Sequence, residues 1–238
     1  MEKIYTIPVN EAFEASVADP ACGCPFCTLY NRLEENELDL ILGASMMEPG
    51  VRIKTNDLGF CKTHYDMMFT RKNRLGMALM LESHLNELRD ATSGKGFAAL
   101  KGVGVEPMKR LERLEGSCYV CGRIEFSLDK MMETAVLLWL QDPAFREKLH
   151  AQPYICLPHY RMFVEYGRRG LSKKLFADFY KEVSTVVNTY FDSLREDVSW
   201  FCKKFDYRYD AEPWGNAKDA VERAIKFTSG DMHKNENK

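Results

Sequence analysis

Two cysteine and histidine arrangements at almost the same spacing constrain this chain more than any other feature. The first reads Cys24-Pro25-Phe26-Cys27 and, after 33 intervening residues, Cys61-Lys62-Thr63-His64. The second reads Cys118-Tyr119-Val120-Cys121 and, after 34 intervening residues, Cys156-Leu157-Pro158-His159. The offset between copies is 94 residues for the CxxC pairs and 95 for the CxxH pairs. Flanking residues keep register too, Phe60, Tyr65 and Met67 aligning with Ile155, Tyr160 and Met162. Internal duplication is the simplest source of such a pattern.

Thiolate and imidazole are the donors zinc prefers, and four of them close a tetrahedral shell without leaving room for a substrate. A CxxC turn can place both sulfurs on one ion, while a Cys and a His three apart at a helix start share one face. Pro158 supports the helix start, because proline is tolerated in the first turn. The expected ligands are therefore Cys24, Cys27, Cys61 and His64 in one copy and Cys118, Cys121, Cys156 and His159 in the other, one zinc for each. Buried free thiols are the plainer reading, but it accounts for neither the histidines nor the register.

The segments between these motifs read as helices. Leu29, Leu33, Leu38, Ile41 and Leu42 follow the first CxxC at helical spacing, and Ile124, Leu128, Met131, Met132, Ala135 and Leu138 follow the second. Breakers at Glu48-Pro49-Gly50 and Asp142-Pro143 turn the chain back toward each CxxH. Longer helices are expected over Leu75 to Ala91 and Leu171 to about Phe205, and an amphipathic stretch over Asn216 to Phe227. Strand signals are scarce.

The glycine-rich stretch from Ser93 to Gly104 separates the copies and reads as a linker. The polar tail from Ser229 to Lys238 has little to bury and is expected to fray. The fold class is thus all-α, with two tandem helical repeats over residues 18–92 and 112–206 related by a pseudo-twofold, each joining its own CxxC turn to its own CxxH helix start. Residues 207–238 form a C-terminal helix and tail.

Composition narrows the function. Thirty-three basic residues balance 35 acidic ones, a net charge of -2, so no overall pull toward nucleic acid or anionic lipid exists. The ligand pairs are also farther apart than the roughly 12 residues of a C2H2 finger. The longest apolar run, Ala135 to Leu140, is too short for a membrane span, and the acidic N-terminus has no signal-peptide core. A cytoplasmic, soluble protein with thiols or metal ligands rather than disulfides is expected.

The remaining polar residues carry less. Cys22 has no repeat mate and reads as a spare thiol, and Cys202 reads as core packing beside Trp200 and Phe201. His84, His150 and His233 have no mates either. Tyr65, Phe69, Tyr160 and Phe163 read as packing layered over the metal sites, and Arg168-Arg169 with Lys173-Lys174 as a solvated charged face.

CPxC, a helix, then CxxH entering a helix, repeated about a hundred residues later, resembles a bacterial family designated domain of unknown function 6062. The resemblance spans nearly the whole chain and carries onto Cys24, Cys27, Cys61, His64, Cys118, Cys121, Cys156 and His159; the second copy departs at Tyr119, where the first has Pro25. It implies no reaction, substrate or partner.

No HExxH, GxxxxGK[ST], GxSxG or strand-borne GxGxxG motif occurs. A zinc-stabilised scaffold or adaptor that meets a protein partner is the leading reading, and an enzyme is disfavoured. An iron-sulfur cluster or thiol redox chemistry is the alternative. Cys24-Pro25-Phe26-Cys27 looks like a glutaredoxin active site, although such a motif belongs at a strand-to-helix junction.

Overall fold

The computed structural model describes residues 3–92 and 105–234, and every regular element among them is helical. The expected linker lies outside these residues. The α-helices are α1 (Thr6–Ala18), α2 (Pro25–Leu42), α3 (Pro49–Leu58), α4 (Lys62–Thr70), α5 (Arg74–Thr92), α6 (Val105–Glu115), α7 (Tyr119–Gln141), α8 (Pro143–His150), α9 (Leu157–Gly170), α10 (Lys173–Lys203) and α11 (Ala220–Ser229). The breakers turn the chain and also start helices. Pro49 and Pro143 sit in the first turns of α3 and α8, and the Asp142 side chain accepts the Ala144 N–H as a cap.

Two compact units emerge, and their boundaries do not follow the two sequence copies. One combines residues up to Asn31 with Leu128–Met232; the other combines Arg32–Ser127 with residues from His233 onward. Each unit therefore draws on both copies.

Helix lengths give a physical reason. The helix leaving the first CxxC has 18 residues and the helix after its breaker has 10. At about 1.5 Å per residue these rise about 27 Å and about 15 Å. In the second copy the outgoing helix has 23 residues and the next one 8, about 35 Å against about 12 Å. Neither short helix by itself retraces its long predecessor.

The core of the first unit is a relay of aromatic rings. Phe13 meets Phe26 at 5.4 Å and Phe145 at 4.7 Å; Phe26 meets Phe163 at 5.0 Å, Phe163 meets Phe179 at 4.9 Å, and Phe179 meets Trp139 at 5.0 Å. Offset and edge-on pairs at these separations add to the burial of large apolar surfaces. After α10 the chain reverses around Lys204, whose buried Nζ donates to the carbonyls of Tyr209 (2.6 Å), Asp210 (3.1 Å) and Glu212 (2.7 Å). Helix α11 then places Phe227 against Tyr190 and Tyr154, at 5.2 and 6.2 Å.

The second unit packs an apolar core that includes Leu38, Ile41, Met68 and Ile124, and adds polar pairs. Asn56, buried on α3, donates to Glu87 at 2.7 Å and accepts from Ser83 at 3.1 Å, both on α5. Arg110 of α6 donates to Asp57 at 2.5 Å and to the Asn56 carbonyl at 2.8 Å. Arg71 reaches Glu35 at 2.6 Å and also pairs with Asp39, both on α2.

Several side chains differ from their sequence-based reading. Cys202 is exposed, not core: it lies beside Phe201 in sequence but on the outer face of α10. Phe69 is likewise 55% exposed, whereas Phe163 is fully buried. His150, by contrast, is the satisfied, exposed side chain its lack of a repeat mate suggests; its Nε2 lies 3.0 Å from Glu182, which also accepts from Trp139 Nε1 at 2.7 Å and Arg146 at 2.6 Å.

Burial alone would raise the Glu182 pKa, but Arg146, Trp139 and His150 outweigh it and hold the carboxyl below its ordinary range. A depressed folded-state pKa stabilises above the unfolded value, and that stabilisation is lost as pH falls through the folded value. Glu182→Gln is expected to cost about 1–2 kcal/mol at pH 7. In urea denaturation the gap from the parent protein should shrink as pH drops from about 5 toward 3; a gap independent of pH would contradict the assignment.

Candidate metal centres

Each CxxC begins a long helix and each CxxH a shorter one, so all eight side chains stand at helix starts. Cys61 and Cys156 occupy the N-cap positions of α4 and α9 with extended backbone, and the histidine follows in the first turn. In both motifs Cys Sγ and His Nδ1 lie 3.1 Å apart.

The structure brings these motifs together crosswise. Cys24 and Cys27 meet Cys156 and His159 in the first unit, and Cys118 and Cys121 meet Cys61 and His64 in the second; within each group the four donor atoms lie within 4.8 Å of one another. Pairing within a copy, as the sequence spacing suggested, is corrected to pairing between copies. The unequal helix lengths described above accord with this exchange.

In the first group Cys27 Sγ lies 3.6 Å from Cys156 Sγ and 3.4 Å from His159 Nδ1, and Cys24 Sγ lies 3.8 Å from the same nitrogen. In the second, Cys61 Sγ lies 3.9 Å from Cys121 Sγ, and His64 Nδ1 is 3.3 Å from Cys118 and 3.4 Å from Cys121. A tetrahedron with zinc–sulfur bonds of about 2.3 Å and zinc–nitrogen bonds of about 2.0 Å has edges of roughly 3.5–3.8 Å. Both donor sets lie close to that shell, with the 3.1 Å Cys–His edges its shortest.

Local hydrogen bonds fix the turns. Ser16 Oγ donates to the Gly23 carbonyl at 2.5 Å, and Ser117 Oγ to the Leu58 carbonyl at 2.8 Å. Gly23 has φ 79°, and a Cβ there would lie 2.9 Å from the Tyr154 hydroxyl, so glycine is required on both counts. Tyr119 N–H donates to the Gly59 carbonyl at 2.9 Å. Pro25, its counterpart in the first copy, has no N–H to give, which is where the two copies part in sequence.

The environments of the two groups differ. All four donors of the first are buried, with the Phe26 ring 5.9 Å from that of His159. Burial pushes the Cys24 thiol up and holds His159 down at about 4. Cys156 is drawn down by Cys24, but Cys27 and burial together push it up to about 12. Without a cation this group therefore stays uncharged. In the second group Cys61 and Cys121 are partly exposed. There Cys121, by donating to it, and the His64 imidazole hold Cys118 as a thiolate at about 3 despite burial.

Glu34, buried on α2, meets His64 Nε2 at 3.0 Å and His233 Nδ1 at 2.6 Å. A carboxylate on the far nitrogen fixes the ring and leaves Nδ1 turned to the sulfurs. The sequence offered no signal for Glu34, which lies among charged residues of α2. Residues 229–234 of the tail are also more ordered than its composition suggested, and residues 235–238 lie outside the described residues. Asp231 N–H donates to Cys27 Sγ at 3.3 Å, and Asn31 donates to the Asp231 carbonyl at 2.8 Å. Gly230, at φ 83°, lets the backbone pass Cys27 and Cys156, whose sulfurs would lie 3.8 Å from a Cβ there. Cys22 stands apart from both groups, its Sγ 3.9 Å from Asp19.

Removing one partner of the Glu34–His233 pair, His233→Ala, should cost about 1 kcal/mol, read as a lower urea midpoint with unchanged slope. No loss would contradict docking of the tail through His233.

Among the described residues, no helix is long and apolar enough to cross a membrane. No curated protein and no solved structure matches the chain. A family model matches residues 1–235, and the chain belongs to that family, the family of unknown function DUF6062.

Proposed function

We propose that this protein is a helical scaffold tied by two structural zinc ions, one bound by Cys24, Cys27, Cys156 and His159 and the other by Cys61, His64, Cys118 and Cys121. The observation that carries this reading is the closed four-donor geometry, repeated with the same 3.1 Å Cys–His separation in both groups. Three sulfurs and a nitrogen complete a tetrahedral shell and leave no position for substrate, as structural rather than catalytic zinc requires. A cluster would spread its cysteine ligands over more than one iron, whereas donors all within 4.8 Å surround a single ion.

Burial weighs against thiol exchange. Cys24 and Cys27 are 1% and 2% exposed, out of reach of a substrate disulfide, and their thiols are pushed up rather than down. The scaffold would serve a protein partner rather than a reaction.

Structural zinc contributes folding free energy directly, on the order of 10 kcal/mol per site in small modules. Elemental analysis should give two zinc per chain, and a strong chelator should lower the melting temperature by more than 10 °C, on the order of what a few kcal/mol does. Binding at the Cys24 group must displace protons from thiols whose pKa values are raised, so zinc affinity there should rise with pH between about 6 and 8. A metal-free protein with the same melting temperature, or affinity that falls with pH, would contradict the proposal.

A further inference from the structure

The two centres share a ligand set but not a shield, and this difference assigns them different fates. At the first, all four ligands are buried, Phe26 lies against His159, and the backbone of Gly230 and Asp231 runs over the sulfurs. At the second, Cys61 and Cys121 are both partly exposed, and their sulfurs lie 3.9 Å apart. These two residues are the only ligands of either centre that are not fully buried. The approach needed to reach the S–S bond length is under 2 Å.

We propose that Cys61 and Cys121 form a peroxide-sensitive site whose oxidation releases the metal of the second centre while the first keeps its own. The inference rests on the proposed metal binding. One thiolate attacks the peroxide O–O bond, giving a sulfenic acid and hydroxide. The other then attacks that sulfur and displaces a second hydroxide. Two thiolates thus lose two electrons to form one S–S bond, hydrogen peroxide gains them, and two protons convert the hydroxides to water. His64 and Cys118 alone hold the ion poorly, and it leaves. A thiol reductant and zinc restore the centre.

The test uses the full chain carrying Cys22→Ser and Cys202→Ser, which removes the two thiols outside the centres. Zinc is counted first, then released by graded hydrogen peroxide into a chromogenic chelator, and the cysteines are mapped by alkylation and mass spectrometry. Two zinc at the start, loss of one, a Cys61–Cys121 disulfide, and Cys24, Cys27 and Cys156 still reduced are the expected results. Two zinc at the start, with both lost together, the Cys24 centre lost first, or neither lost before unfolding, would overturn this inference and leave the proposed scaffold standing. No zinc at the start would overturn both.

Discussion

Each group of four donors joins residues far apart in sequence, and the rest of the structure depends on that closure. In the first group Cys27 and Cys156 are 129 positions apart; in the second Cys61 and Cys121 are 60 apart. Loop-closure entropy grows only with the logarithm of length. Closing 129 residues rather than the 33 between Cys27 and Cys61 costs about 1 kcal/mol more. An entropic difference of that size does not decide the pairing against helix geometry. The lengths of the outgoing and returning helices accord with the exchange, and each compact unit draws on both copies.

Much of this was legible in the sequence. Repeat register marked the eight residues that converge, helical periodicity marked α2, α5, α7 and α10, and Pro158 marked the start of α9. Which CxxC meets which CxxH was not legible, because periodicity tells which face of a helix is apolar and not where the helix leads. Equal spacing of 33 and 34 residues made the nearer partner look natural. The lengths of α2 against α3 and of α7 against α8 accord with the crosswise pairing, and those lengths depended on reading Pro49 and Pro143 as first-turn prolines rather than as ends.

Other differences have similar causes. The tail reads as unfolded by composition, yet its residues 230–233 dock through a backbone N–H on Cys27, a glycine that lets the chain pass close to sulfur, and one histidine. Composition weighs side chains and cannot register the first two. Glu34 was hidden for a related reason: a buried acid that orients a histidine looks, in sequence, like any other acid in the Glu34-Glu35-Asn36-Glu37 run. Cys202 shows the opposite error, since apolar neighbours in sequence need not share its face of the helix.

Crosswise assembly of the two centres is tested most directly by counting metal in paired variants. Cys24→Ala with Cys156→Ala removes two ligands of one centre and should leave one zinc per chain by elemental analysis. Cys24→Ala with Cys61→Ala removes one ligand from each centre and should leave almost none. The reverse result, no zinc in the first variant and one in the second, would mean that each copy binds its own metal and would contradict the exchange.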